Sequence, residues 1–481
     1  MALRNGRGGA SRREFLTQSL GAAAGAVLGA AAIGATTGRG AWAGAAAAAP
    51  APTEPARSVA QYGITWTFDK PCVAGRFATG DWWVVGPVTV RSVEPAPEAG
   101  RSGSAVNPAA GKKQGYDDRI PGFDAALRAT FPLDLKPGQS LVSTHSLAKV
   151  GDRTPDTVPG QYARGPLRTA VVLTCVEKAP PADAFRPPFV GAGKPLFTVS
   201  QLRRDLLPRL ACPVPPPDRK AFERQLQRIW LDHLADWVGR EMHPLENMPD
   251  YGRELTEITS QAGLVLLLDD PQGENETLLK RYVQLGIDLA AMARSYDRLW
   301  PANGGHCSGR KWPILFAGLM LGDAGMTGVK AAFAEDEQTY YGEGYGGRKV
   351  LWQIHPGLQH EHLPPEKWKG PPFKGANNGK KSEGYRRLNG PTWVGQTLAA
   401  RLMGAKKVWN HDAYFDYVDR WWKEEVESAA GGAKKITGVA GGAFVQAMWK
   451  AYRAKADEIG AAVEARRSRP PAGGGSPVAK P

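Results

Sequence analysis

The chain has 481 residues, 42% hydrophobic and 22% charged, with a formal net charge of +14. That is enough apolar material for two or three domains with sizeable cores. No zinc-finger spacing, RNA-binding signature or long Lys/Arg run accompanies the positive charge, so composition gives no support to a nucleic-acid-binding class. Residues 1–57 carry +4 of the excess and 466–481 another +4, which leaves +6 between them. That moderate bias suits an anionic substrate and equally suits a solvated, Lys-rich surface.

The first segment reads as an export signal, expected over 1–45. Ser11-Arg12-Arg13-Glu14-Phe15-Leu16 precedes an Ala/Gly-rich stretch and the small-residue site Ala41-Trp42-Ala43. It resembles the box of the twin-arginine pathway, which is read by a translocase and is not an anchor. Gly and Ala replace the Leu and Ile that a stable membrane span of ~20 residues requires. The expected location is periplasmic or secreted, with the twin-arginine translocase as export partner. Residues 46–60 read as an Ala/Pro linker.

Residues 61–195 carry short β-branched and aromatic runs at 62–68, 81–85, 88–93, 140–145 and 169–176, divided by Gly, Pro and Asp. This is the pattern of a β-sandwich-like or barrel domain. A Pro-rich connection at 196–218 follows, with a short helix expected at 201–207. From Arg219 the apolar spacing becomes helical, through Phe222, Leu226, Ile229, Leu234, Trp237 and Val238. Further helices are expected at 253–269, 276–299, 311–322, 392–404, 412–428 and 442–458, with Asn275 and Asn410 as N-terminal caps and a disordered tail at 459–481. The fold class is therefore α+β multidomain. Between them, 330–390 forms a long connection rich in Tyr, Trp and His, and its aromatics predict an ordered, site-forming segment.

Four cysteines (Cys72, Cys175, Cys212, Cys307) include no C-x-x-C pair, which argues against zinc-ribbon and thioredoxin classes. Folding before export predicts free, mostly buried thiols, with room for one bridge.

Several constellations can carry chemistry. Asn303-Gly-Gly-His306 leads through Arg310, Lys311 and Trp312 into an apolar helix whose N-terminus suits a carboxylate; capping alone explains it equally well. After Tyr251, Arg253 and Glu257 are four apart and Glu254 and Glu257 three apart, spacings that share a helix face, where Arg253–Glu257 is also an ordinary surface pair. His355, His360 and His362 leave room for Zn²⁺ or Ca²⁺, although no signature spacing accompanies them and no cofactor is otherwise expected. Ser382 to Asn389 brings Tyr385, Arg386 and Asn389 before a helix, and Trp312 and Trp352 could stack on sugars or fill a core. No G-x-S-x-G elbow, phosphate loop or dinucleotide fingerprint occurs.

The segments Tyr251-Gly-Arg-Glu254 and Asn303-Gly-Gly-His306, with 390–403 and 409–419, resemble the α/α-toroid proteins, in particular alginate-lyase-like polysaccharide lyases. The likeness covers about half the chain. It implies an α/α-toroid (incomplete α/α barrel) domain over 219–458 and cleavage of an anionic, uronic-acid-containing polysaccharide by β-elimination. On that reading Asn303 or Arg310 neutralises the uronate, His306 is the base and Tyr341 or Tyr385 the acid. Tyr251, Arg253, Glu254, Lys311, Trp312, Trp352, Arg386 and Asn389 bind substrate. Two rivals stand beside it: an inverting glycoside hydrolase using Glu254, Glu257 or Glu343, and a non-catalytic carbohydrate-binding or envelope scaffold.

Overall fold

Alternation of apolar and polar residues shapes the first third of the chain. In the computed structural model, which describes residues 55–158, 165–368, 379–428 and 442–469, the expected runs overlap strands. They are β1 (Ala56–Gln61), β2 (Ile64–Cys72), β3 (Ala74–Arg76), β4 (Trp82–Val85), β5 (Val88–Glu94), β6 (Ser104–Val106), β7 (Leu133–Leu135), β8 (Ser140–Ser146) and β9 (Leu167–Val176). The expected leader, all but the last six residues of the linker, residues 369–378 of the long connection and residues 470–481 of the tail lie outside the described residues.

β1 lies where a linker was expected. Tyr62 and Gly63, both at positive φ (48° and 79°), make the two-residue turn that folds β1 back on β2, and such a turn matches the strand twist. The strands form one sheet in the order β1-β2-β5-β7 and another in the order β3-β4-β9-β8-β6. Side chains of successive strand residues point to opposite faces, and β9 exploits both. Val171, Leu173 and Cys175 enter a buried cluster with Ile64, Trp66 and Phe68 of β2. Ala170 and Val172 enter the core of the helices. β9 is therefore apolar nearly throughout, as strands buried on both faces are.

The remaining elements are α1 (Arg219–Leu226), α2 (Gly252–Val265), α3 (Glu276–Ser295), α4 (Lys311–Leu321), α5 (Ala324–Thr327), α6 (Ala334–Gln338), β10 (Thr339–Tyr341), β11 (Val350–His355), β12 (Leu358–Gln359), α7 (Gly379–Leu402), α8 (Lys406–Trp409), α9 (Asp412–Trp422), α10 (Gly442–Tyr452) and α11 (Ala456–Arg467). The fold is mixed α+β. Tyr282 of α3 donates to the Thr259 carbonyl of α2 (2.8 Å), and Ser260 of α2 donates to Thr392 of α7 (2.9 Å). α4 ends at Gly322, whose φ of 67° supplies the left-handed cap that an L side chain resists.

Five expectations change. The helix begun at Arg219 ends at Leu226, because Ile229, Trp230, Leu231, Leu234 and Ala235 are buried on every side. The chain there pairs with Gly111 through His233 and Ala235. The expected helix at 201–207 is instead two single 3-10 turns, Val199–Gln201 and Arg204–Leu206. The 330–390 connection contains α6, the sheet β10-β11-β12 and the start of α7. α11 runs into the expected tail as far as Arg467, with its Gly460 pressed on the Arg401 carbonyl. Asn275 takes the N-cap position of α3, but Asn410 closes α8 in a left-handed conformation and His411 opens α9.

Candidate functional site

The Asn303–His306 turn is held from four directions. Arg253 N–H at the start of α2 donates to Gly305 O (2.9 Å), and Gly304 N–H donates to Ile354 O of β11 (3.3 Å). Gln338 at the end of α6 and Asn389 of α7 both donate to Gly304 O (2.6 and 2.7 Å). Both glycines are needed here. A Cβ on Gly305 would sit 2.7 Å from Asn389 Oδ1 and 2.8 Å from the Tyr251 ring, and one on Gly304 would sit 2.9 Å from the Tyr385 ring. Close backbone approach of this kind is what glycine permits.

Around this turn a set of half-buried polar aromatics gathers. The rings of Tyr251 and His306 lie 4.3 Å apart, centre to centre, and Trp237 lies 6.4 Å from His306. Burial and the hydroxyl of Tyr385, hydrogen-bonded to its own, push the Tyr251 pKa well above the ordinary phenol value. That phenol therefore remains a proton donor through any physiological pH. Arg253 stacks on Tyr251 and Arg240 on Trp237, each 5.0 Å from the ring centre. Asn303 Nδ2 donates to Asp236 (3.1 Å). Glu254 approaches Arg253 at 3.7 Å, so the expected Arg253–Glu257 pair is replaced by a neighbouring one, while Glu257 accepts from Gln261 (3.4 Å).

Tyr251, Arg253, Glu254, Asn303, His306 and Tyr385 thus come together, with Asn389 buried behind them. The other candidates do not join them. Arg310 is buried and spent: it pairs with Asp232 (2.8 and 3.2 Å) and donates to the carbonyls of His306 and Ser308 (3.2 and 2.6 Å). Although burial alone would raise it, Arg310 and His243 hold the Asp232 carboxyl well below the usual range. Lys311 is likewise buried, on Asp336 (2.5 Å) and the Trp409 carbonyl (2.6 Å). Trp312 and Trp352 are core residues with no exposed face for a sugar. Arg386 is buried against Glu383 (2.6 and 3.0 Å) and Glu425. Tyr341 stands 58% exposed on β10 and donates to Asp416 (2.6 Å). Glu343 is exposed and paired with Lys349 (2.7 Å).

The three histidines of the expected metal site separate. His355 and His362 are exposed, whereas His360 is buried between Ser382 (2.7 Å) and Glu383 (2.9 Å). Among the described residues no group of three or more His, Cys, Asp or Glu side chains could hold a metal ion. The Ser382–His360–Glu383 chain has the residue types of a hydrolase triad. Yet Ser382 is 1% exposed and Glu383 is already bound by Arg386 and Arg387, so the chain fastens β12 to α7. All four cysteines are free.

Trp237, Arg240 and Asp236 were missed by sequence reasoning, which placed Trp237 on the buried face of a helix. The available signal was the break itself: Asp236 sits at φ 67°, ψ −165° and caps the 3-10 turn Trp237–Met242.

Comparison with protein-family models, with curated proteins and with solved structures found no match for this chain.

Proposed function

We propose that the protein is an exported polysaccharide lyase that cleaves a uronic-acid polymer by β-elimination. In this reading the two-sheet part is a β-sandwich, the helices form an incomplete α/α toroid, and residues 1–45 are a twin-arginine leader. The observation that carries it is the grouping of His306 with two hydrogen-bonded tyrosines, an asparagine amide and an arginine about one glycine turn. Elimination needs those residue types. Asn303 and Arg253 neutralise the uronate carboxylate, which acidifies the adjacent C–H. His306 takes that proton, the C–H electron pair becomes the new C=C bond, and the glycosidic C–O bond breaks. Tyr385 returns a proton to the departing oxygen, with Tyr251 holding its hydroxyl. Arg310, Tyr341, Lys311, Trp312, Trp352 and Arg386 have no part in this version.

A second reading, an inverting glycoside hydrolase, draws on the carboxylates at the same place: Asp236 and Glu254 are both within the cluster. A panel of polyuronates separates the two. Products absorbing near 235 nm identify elimination, and new reducing ends without that absorbance identify hydrolysis. Binding without either product would leave the scaffold reading. Full activity in His306→Ala would sink the assignment of the base.

A further inference from the structure

The Asp236–Arg240 stretch has a form that core packing does not explain. Of the 15 tryptophans in the sequence, Trp237 is the one among the described residues that is more than a third exposed, at 42%. It follows Asp236, a non-glycine residue held at φ 67°, ψ −165°. Such a conformation is strained for an L side chain and persists only where its surroundings enforce it. Here the enforcing contacts point at the site. The Asp236 carboxylate accepts from the Trp237 N–H (2.7 Å) and from Asn303 Nδ2 (3.1 Å), so the strained residue sets the tryptophan and the asparagine side by side.

The result is a row of rings and guanidinium groups: Arg240 lies over Trp237, Trp237 and His306 are 6.4 Å apart and tilted by 55°, His306 and Tyr251 are 4.3 Å apart and tilted by 52°, and Arg253 lies over Tyr251. Aromatic faces take sugar rings and guanidinium groups take carboxylates. The row has one aromatic–arginine pair on each side of His306. Arg240 keeps 13% of its side chain exposed, and its one side-chain polar contact among the described residues is Nε to Glu241 (3.2 Å), which leaves the two terminal nitrogens for a ligand. The acids in the neighbourhood are engaged: Asp236 by the two donors above, Glu241 by Arg240, and Glu254 by Arg253.

We infer that Trp237 and Arg240 form a second sugar position, which binds the acidic sugar next to the one at Arg253, so that the site selects two consecutive uronates. This rests on the proposed uronate site at His306. The substrate class is therefore a homopolyuronate block, in which every sugar carries a carboxylate, and not a polymer that alternates uronate with neutral or amino sugar.

The test measures binding and turnover separately. Affinities of homopolyuronate tetramers (galacturonate, mannuronate, guluronate, glucuronate) and of a hyaluronan tetrasaccharide are determined by calorimetry in the Tyr385→Phe protein, with Trp237→Ala or Arg240→Met added. Trp237 is exposed, so its replacement leaves the core intact, and circular dichroism checks this. At least one homopolyuronate should bind about tenfold tighter than hyaluronan, and each added substitution should weaken it about tenfold while leaving hyaluronan unchanged. Equal affinity with and without Trp237 and Arg240, or equal losses for both ligand types, would overturn the second position. If the polyuronate preference depends on these residues but the wild type yields no 235 nm product, the position stands and the lyase reading falls. If the product forms with KM unmoved by either substitution, the lyase reading stands and the position falls. If no acidic oligosaccharide binds, both fall.

Discussion

Arg310 and Asp232 meet as a two-point ion pair buried directly behind the Asn303–His306 turn, and the same guanidinium also holds the His306 carbonyl. Removing the guanidinium leaves the buried Asp232 charge, which Arg310 and His243 share, to His243 alone, a loss of about 3–5 kcal/mol. Arg310→Met should lower stability by that order in urea unfolding. Adding Asp232→Leu should recover part of the loss, because no buried charge is then left over. A single substitution as stable as wild type would show that the pair is not the anchor of the turn.

Gly305→Ala tests the packing of the turn itself. Its new methyl would press on Asn389 and the Tyr251 ring, and relief requires that Tyr251 or the turn move. Since a displacement of about 1 Å can cost about 100-fold in rate, kcat/KM on the best polyuronate should fall by that order. Tm should change by only a few degrees. An unchanged kcat/KM would place the chemistry elsewhere.

The tyrosine pair should divide unequally. Tyr385→Phe removes the proposed acid and should lower kcat by about 10²–10⁴-fold. Tyr251→Phe removes only the hydroxyl that positions it, and should cost less. Progress curves at 235 nm under saturating substrate give both values, and the reverse order would exchange the two roles.

Acid sensitivity should trace to His233. Burial lowers its pKa from the ordinary 6.5 to about 4 in the folded protein. The unfolded chain therefore binds the extra proton first, and folding loses stability as pH falls from about 6.5 to about 4. Each pKa unit is worth about 1.4 kcal/mol, so the full loss is about 3 kcal/mol. Replacement by Gln, which cannot take the proton, should flatten urea midpoints across that range. An unaltered slope would assign the sensitivity to other groups.

Much of this architecture is legible in the sequence, because periodicity reports which way a side chain faces. The runs in β2, β8 and β9 and the apolar stretch of α4 lie close to where their patterns put them. Partnership across the fold is not legible in the same way. Arg310, Lys311 and Arg386 look like ligands for an anion until Asp232, Asp336 and Glu425 arrive from distant segments, with Glu383 one turn earlier on α7, to take them. Trp312 and Trp352 look like sugar platforms until neighbouring elements cover them. Conversely, His306 and Tyr385 are 79 positions apart, and only the packing of α2 and α7 about Gly304 and Gly305 makes them neighbours. Trp237 was lost because a buried extended segment and a helix can share the same apolar spacing.

β9 gives alternate side chains to two cores, and Arg186, buried between β9 and the Pro-rich connection, clasps Asp81 beside β4 (2.9 Å) and Asp288 of α3 (3.0 Å). The sheets are thus not a portable module joined to a helical one by a tether. Recombination that cut the chain near residue 195 would leave the helices with an open apolar face and Asp288 without its counter-charge. Calorimetry should accordingly register one melting event for both parts, and neither half should be recoverable on its own from expression of a truncated gene.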